Sequence, residues 1–456
     1  MLHYRVAAIA LAIACLSSTA VGHEGTMAAQ ARAALDGMTR EDGPGAVVLI
    51  AKGDRIVYQG VRGRANIELD VPLKSDDTFR IASITKMFTA AMILKLSEGG
   101  QLKLDDLLAT YFPDFPDAHR ITLRMLLSHT SGVSDRVVDP QPGFSRRDVD
   151  TATLVAEIRK RPLDFAPGTR WSYSNAGFVL LGAVIEKVTG KTWYDAIRAE
   201  LLQPVGLTHT AFGAAASIVP GRVAGYSTNG DAVANASYIS LSTAAAAGGL
   251  LSTAYDLLRW MRALSHGQVI SSENFRQMIA VGPELPGAHS GAGYGLGMYI
   301  WHVRDKLMVG HTGEINGFCT AVAYLPDIDV TVVILANDDS FDARTVARRL
   351  AAIALGEPYS EAPAREISIQ DMQALAGIYR VAADIDETLS VKGGNLYARR
   401  GNGNAVPLRM TTDGQLHLVP DEITYFVPVR DGAGRIIGLN DFENGDAPAR
   451  FLPRVP

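Results

Sequence analysis

Two cysteines are all that the 456 residues contain, Cys15 and Cys319. Cys15 falls in the N-terminal apolar run, so Cys319 is left without an internal partner and no disulfide framework is expected. Charge of one sign is also scarce: 43 Lys and Arg against 48 Asp and Glu leave −5. That excludes the basic surface of a nucleic-acid binder. Beyond the N-terminus no apolar run is long enough to span a bilayer. His-Glu-x-x-His and clustered His/Cys spacings are missing, so neither a metal nor another cofactor is expected. There is no Gly-x-Ser-x-Gly, which removes the nucleophile elbow. The Gly-Lys-Thr at 190–192 has Ile185 where a phosphate loop needs glycine, and it follows a helix; Gly190 reads as a helix stop.

What is present is the balance of a globular protein, 47% hydrophobic and 20% charged, with length for one large domain and a second. Residues 1–22 combine Arg5, the apolar "VAAIALAIACL" and small residues up to Gly22. This is the pattern of a secretory signal cut after Gly22, and a periplasmic or secreted protein without a remaining transmembrane anchor is expected. Lipidation at Cys15 is the weaker alternative, because Ala12 stands where a lipoprotein signal carries Leu.

Strand and helix patterns then alternate. "GAVVLIAKGDRIVYQGVRGRANI" reads as two strands about the turn "KGD", and "ITKMFTAAMILKLSEGG" as a helix stopped by Gly99-Gly100. A mainly helical middle follows, including one pattern running from Asn175 to Gly206. Four strand-like runs return late, from "GLGMYIWHV" to "VTVVILAND", before the helix "FDARTVARRLAAIALG". The expected class is α+β: an antiparallel sheet built from both chain ends, flanked by helices, with an inserted helical region and a cleft between the layers. Residues 23–357 are assigned to this domain and 358–368, rich in Pro, Glu and Ser, to a linker. Residues 369–456 show short strands about 8–12 residues apart, which reads as a small barrel or sandwich.

A serine hydroxyl is a poor nucleophile until a base takes its proton. In "FRIASITKMFTA", Ser83 and Lys86 stand three apart on one face of a helix start. Free N–H groups and the helix dipole favour negative charge there. Alone, the pair is equally a helix cap and a solvated amine. "GTRWSYSNAGF" adds Tyr173 and Asn175 just before a helix: a phenol beside a lysine can carry a proton, and an amide can hold both lysine and substrate. "VGHTGEINGF" adds His311, Thr312 and Gly313 at a strand end, where a small residue lets a substrate backbone lie along the sheet edge. His129 in "SHTSG" reads as a turn-stabilising histidine, Trp171 as packing behind Tyr173, and Cys319 as a small core residue.

Ser-x-x-Lys, Tyr-x-Asn and His-Thr-Gly in this order resemble the serine β-lactamase and penicillin-binding-protein family, above all its class C-like branch with DD-peptidase, esterase and D-aminopeptidase relatives. "LLSHTSG", "GGLLST" and "YGLG" add to the likeness, which spans roughly residues 27–355. The resemblance implies a β-lactamase-like fold with Ser83 as acylated nucleophile and Lys86 assisting its deprotonation. It makes Tyr173 the general base in acylation and donor to the leaving group, with Asn175 orienting lysine and substrate. His311, Thr312 and Gly313 would line the strand side of the cleft, and the backbone N–H groups of Ser83 and Glu314 would form the oxyanion hole. His311 stands where β-lactamases of this type carry Lys, and near its reference pKa of about 6.5 it is mostly neutral at pH 7. That favours peptidase or esterase members, as does the extra C-terminal β domain. The expected function is an exported serine hydrolase acting on D-amino-acid peptides or amides, peptidoglycan-derived ones included, or on small esters. The alternatives are a class C-like β-lactamase and a penicillin-binding sensor or cell-wall-binding protein with little turnover.

Overall fold

Residues 25–135, 143–282, 292–359, 362–419, 423–446 and 449–455 are described by a computed structural model of the chain. The secretory signal, its cut after Gly22 and Cys15 lie outside the described residues. The apolar run Ala46–Lys52 forms strand β1, buried for all but its last residue, as befits a strand covered on both faces. It turns through Gly53, at φ +60°, into β2 (Arg55–Arg62). The late runs supply β3 (Gly293–Tyr294), β4 (Tyr299–Val303), β5 (Lys306–Ile315), β6 (Phe318–Leu325) and β7 (Val330–Ala336). Their order in the sheet is β3-β4-β5-β6-β7-β1-β2. β1 pairs antiparallel with β7 from Ala46↔Ala336 to Lys52↔Val330, so one sheet is built from both ends of this unit.

The sheet is covered by helices whose apolar residues recur at helical spacing. Helix α1 (Thr85–Glu98) is buried almost all round, including Met87, Phe88, Ile93 and Leu94. It packs against α3 (Asn175–Thr189) and α4 (Leu241–Gly248), while α2 (Thr151–Arg159) packs on α3. On the sheet lie α5 (Ala254–Ser265), against β1 and β7, and α6 (Ala343–Leu355), against β6 and β7. The helical pattern from Asn175 to Gly206 is broken at Gly190. Gly190 adopts φ +67° and ends α3, and a helix at Trp193–Ile197 then runs into a π turn, Arg198–Leu202. Gly190 is thus the stop that the Gly-Lys-Thr reading expected. No helix among the described residues is long and apolar enough to cross a membrane.

The described residues divide into two compact units at Gly356/Glu357, with the turn Val303–Asp305 counted in the second. In that second unit eight strands, from Gly377–Ala382 to Arg450–Pro453, neighbour one another in chain order. First and last meet through an antiparallel bridge between Tyr379 and Arg454, and Val455 N–H donates to Ile378 O at 2.7 Å. The meander therefore curls into a nearly closed barrel instead of a sandwich, around Tyr379, Leu389, Leu396, Phe426, Leu439 and Leu452.

Candidate active site

Ser83 lies on the turn between a short strand, Phe79–Arg80, and α1. Ala82, just before it, has φ +47°. This left-handed conformation costs a non-glycine residue on the order of 1–3 kcal/mol. It reverses the chain sharply, so that Ala82 and Ile84 are buried while Ser83 stays half-buried at the cleft. Strand β5 passes directly behind this turn. A Cβ on Gly313 would lie 2.2 Å from the Ile81 carbonyl oxygen and 2.5 Å from Thr320 Oγ1. The glycine is needed for strand and turn to touch, a different reason from the substrate contact that its motif suggested. Gly313→Ala is expected to cost about 1–3 kcal/mol, the range for forced overpacking. A lowered Tm checks this, and an unchanged one would show that the turn gives way freely.

Lys86 has no exposed surface. Its Nζ donates to Ser83 Oγ at 3.0 Å, Asn175 Oδ1 at 2.7 Å and the Ala247 carbonyl at 2.8 Å. Burial brings its pKa down to about 7, against the opposing pull of the Asp135 charge. The Ala247 carbonyl is presented by a kink in α4, where Ala245 turns to φ 42° and ψ −133°. The neighbouring Ala246 carbonyl accepts from Thr89 Oγ1 at 2.7 Å, which ties the kink to α1.

Asn175 opens α3 and is held by a residue the sequence reading missed. The Asp135 carboxylate accepts from Asn175 N–H at 2.6 Å, Asn175 Nδ2 at 3.1 Å and Ala176 N–H at 3.2 Å. An ionised carboxylate only accepts, so the amide nitrogen faces Asp135 and the amide oxygen is left to face Lys86. No motif marks Asp135; its place before α3 follows from the fold.

The Tyr173 ring centroid lies 4.7 Å from Lys86 Nζ, and its hydroxyl is hydrogen-bonded to Ser83. Burial first, and the neighbouring Tyr299 second, hold the phenol well above its ordinary pKa of 10.0, so it is neutral. His311 is buried on β5. The Thr312 carbonyl can only accept, so Nδ1–H donates to it at 2.5 Å and Nε2 accepts from the Tyr294 hydroxyl at 2.9 Å. Burial and the adjacent Lys86 push His311 down to about 3. It is a neutral imidazole at physiological pH.

His129 adopts φ +59° and accepts the Ser174 N–H on Nδ1 at 3.1 Å, which fixes the turn before α3. Burial holds its pKa well below 6.5. Trp171 packs on His129 and Tyr294, at ring-centroid distances of 6.0 and 6.2 Å, and so backs Tyr173 through these two rings. Cys319, opposite Glu314 on β6, is buried, and burial pushes its thiol up to about 12, unsuited to nucleophilic work.

Ser83 opens onto a cleft of about 220 Å³ whose polar lining includes Asn175, Asp135, Glu314, Thr243 and Asn316, while Lys86, Tyr173 and His311 are not among its lining residues. Thr312 is half-buried on β5 and Glu314 exposed beyond it. Among the described residues no group of three or more His, Cys, Asp or Glu is placed to hold a metal ion. The arrangement offers a hydroxyl, an amine near even protonation 3.0 Å away, and a neutral phenol beside both.

The Beta-lactamase family model matches residues 31–356. Penicillin-binding protein 4* of Bacillus subtilis (strain 168) is 28% identical over 331 residues, 68% of this chain and 72% of its own. Esterase EstB of Burkholderia gladioli is 33% identical over 184 residues, 37% of this chain and 47% of its own. Two of the first three curated relatives are thus covered over only 62% and 47% of their length. A D-stereospecific amidohydrolase from Streptomyces sp. superposes with a TM-score of 0.63 at 29% identity, covering 72% of this chain and 98% of its own. The octameric penicillin-binding protein homologue of Pyrococcus abyssi gives a TM-score of 0.65 at 22% identity. That likeness of fold covers 96% of this chain and 99% of the other, and so takes in the C-terminal barrel. A family match over most of the chain decides its kinship: the protein belongs to the Beta-lactamase family of serine hydrolases.

Proposed function

We propose that the protein is an exported hydrolase that cleaves amide or ester bonds through an acyl-enzyme on Ser83. The observation that carries this reading is Lys86, buried, 3.0 Å from Ser83 Oγ and with its pKa brought to about 7. In its neutral form the amine takes the Ser83 proton while Oγ attacks the substrate carbonyl carbon. The backbone N–H groups of Ser83 and Glu314, two residues that border the cleft, receive the developing oxyanion. The proton then returns by way of the Tyr173 hydroxyl to the leaving nitrogen or oxygen as its bond to carbon breaks. Water attacks the acyl ester, Lys86 takes its proton, and the acid departs as Ser83 is reprotonated. The base is assigned to Lys86 and not to Tyr173, because a phenolate in these apolar surroundings is the costlier charge.

A neutral His311 offers no fixed cation for a carboxylate-bearing β-lactam. The amidohydrolase and the esterase among the relatives also favour amide and ester substrates, D-amino-acid amides and peptides among them. Export rests on the pattern of residues 1–22. Intact mass of the protein recovered from an exporting host tests both parts. The chain should begin at His23 and gain the acyl group on the peptide containing Ser83, with continuing turnover of a p-nitrophenyl ester or a D-phenylalanine amide. Stoichiometric labelling by benzylpenicillin with no turnover of either substrate would make the protein a penicillin-binding sensor instead, and a chain still starting at Met1 would remove the export.

A further inference from the structure

The cleft beside Ser83 is built unequally. Away from the sheet its wall is largely apolar, with Phe144, Leu154, Ile158, Val179 and Ala244 beside the hydroxyl-bearing Thr243, and Ile315 and Asn316 close it on the strand side. Leu154 and Ile158 stand one turn apart on α2 and face α3, from which Val179 comes. Helix α2 is held in place at its start, where the Asp150 carboxylate accepts from Thr153 N–H at 2.8 Å and Thr151 Oγ1 donates to Glu186 Oε1 of α3 at 2.9 Å. The wall is therefore preformed. Among the described residues, the charged side chains lining the cleft are both carboxylates, Asp135 and Glu314. The ammonium of Lys86 is buried behind Ser83 with its donors engaged, and His311 is a neutral ring.

We infer that this cleft is an acyl pocket, which takes an apolar acyl chain or ring of an ester or amide and turns away acyl groups that end in a carboxylate. The inference rests on the acyl-enzyme reading and names the substrate class it serves. An apolar cavity of about 150 Å³ is enough to hold a benzene ring. The cleft, at about 220 Å³, has room for a butyryl to hexanoyl chain or a phenylacetyl group beyond the carbonyl. Each methylene laid against the wall leaves water, whereas a terminal carboxylate loses its hydration and meets two like charges.

The test uses the full chain and p-nitrophenyl esters from acetate to octanoate, with the hemisuccinate as an anionic partner of similar size to the butyrate and Ser83→Ala as blank. From acetate to hexanoate kcat/KM is expected to rise about fourfold per methylene, the worth of one buried CH₂. The hemisuccinate should fall at least about tenfold below the butyrate, since like charges brought together are strongly disfavoured. Ala244 is half-buried on the cleft, so Ala244→Phe should fill the pocket without disturbing the core and move the preferred chain toward acetate. Phe144→Ala, at the half-buried rim, should flatten the rise. Thermal unfolding of both variants separates filling from misfolding. A Ser83-dependent enzyme with no chain-length preference, or one that takes the hemisuccinate as fast as the butyrate, overturns the pocket and leaves the hydrolase reading standing. No Ser83-dependent turnover of any ester overturns both.

Discussion

Ser83→Ala is expected to lower kcat/KM by at least ~10⁴-fold on every ester or amide that the wild type cleaves, with the fold retained. Removing the nucleophile of an acyl-enzyme mechanism leaves only binding and oxyanion stabilisation, and such a loss in a serine protease amounts to about 10⁶ in kcat. The structural cost is small by comparison. Ser83 is half-buried, and Lys86 keeps Asn175 Oδ1 and the Ala247 carbonyl as acceptors when the hydroxyl is gone. One lost hydrogen bond is worth about 1 kcal/mol, so Tm should move by a few degrees at most. Kinetics with a purified ester and a melting curve on the same sample decide the matter. A mutant within tenfold of wild type would remove Ser83 from the chemistry altogether.

Lys86→Met should cost about 10²–10⁴ in kcat/KM, the usual contribution of a positioned base. The wild-type pH profile carries the more specific signature. Burial holds the Lys86 pKa near 7, so above that pH the amine is neutral and can accept the Ser83 proton, and below it the ammonium can only donate. Activity should therefore rise with pH along a limb centred near 7. Asp135 raises the Lys86 pKa through its charge, so Asp135→Asn should move that limb to lower pH. It should also lower kcat, because the Asn175 amide loses the acceptor that orients it. A limb near 10, or none that follows Asp135, would take the base role from Lys86.

The parts of this site that were legible in the sequence are those that act through side chains of distinctive type at fixed spacing. Ser83 and Lys86 share a helix face, and Tyr173 and Asn175 precede a helix whose apolar periodicity is plain; the fold brings all four together. Short strand-like runs bounded by turns likewise gave away the late hairpins and the C-terminal meander. The remainder works through backbone, which leaves no mark in residue type. The Ala247 carbonyl holds Lys86 only because an alanine, Ala245, departs from helical geometry, and Ala82 does the same before Ser83. Asp135 is an ordinary loop aspartate until the start of α3 is set beside it. Gly313 was recognisable as part of a motif, but its close approach to Ile81 depends on strand and turn lying in contact. The pocket wall was hidden for a similar cause: Leu154 and Ile158 read as one apolar stripe on a helix, with nothing local to say that part of it faces a cavity.

The central place of β1 has a consequence for how the chain is made. Its partner on one side, β7, is about 280 residues further along, from Lys52↔Val330 onward. At about 5–20 residues per second a ribosome needs on the order of 15–60 s to deliver the second strand after the first. For that interval the strand "AVVLIAK", buried on both faces in the finished protein, has one edge without a partner. Such an edge is where a nascent chain is captured by a neighbour. A circular permutant that opens in the helical middle and joins the present ends of this unit would bring β7 and β1 close together in synthesis. Such a permutant should be less prone to nascent-chain aggregation, with Ser83 and Lys86 unaltered.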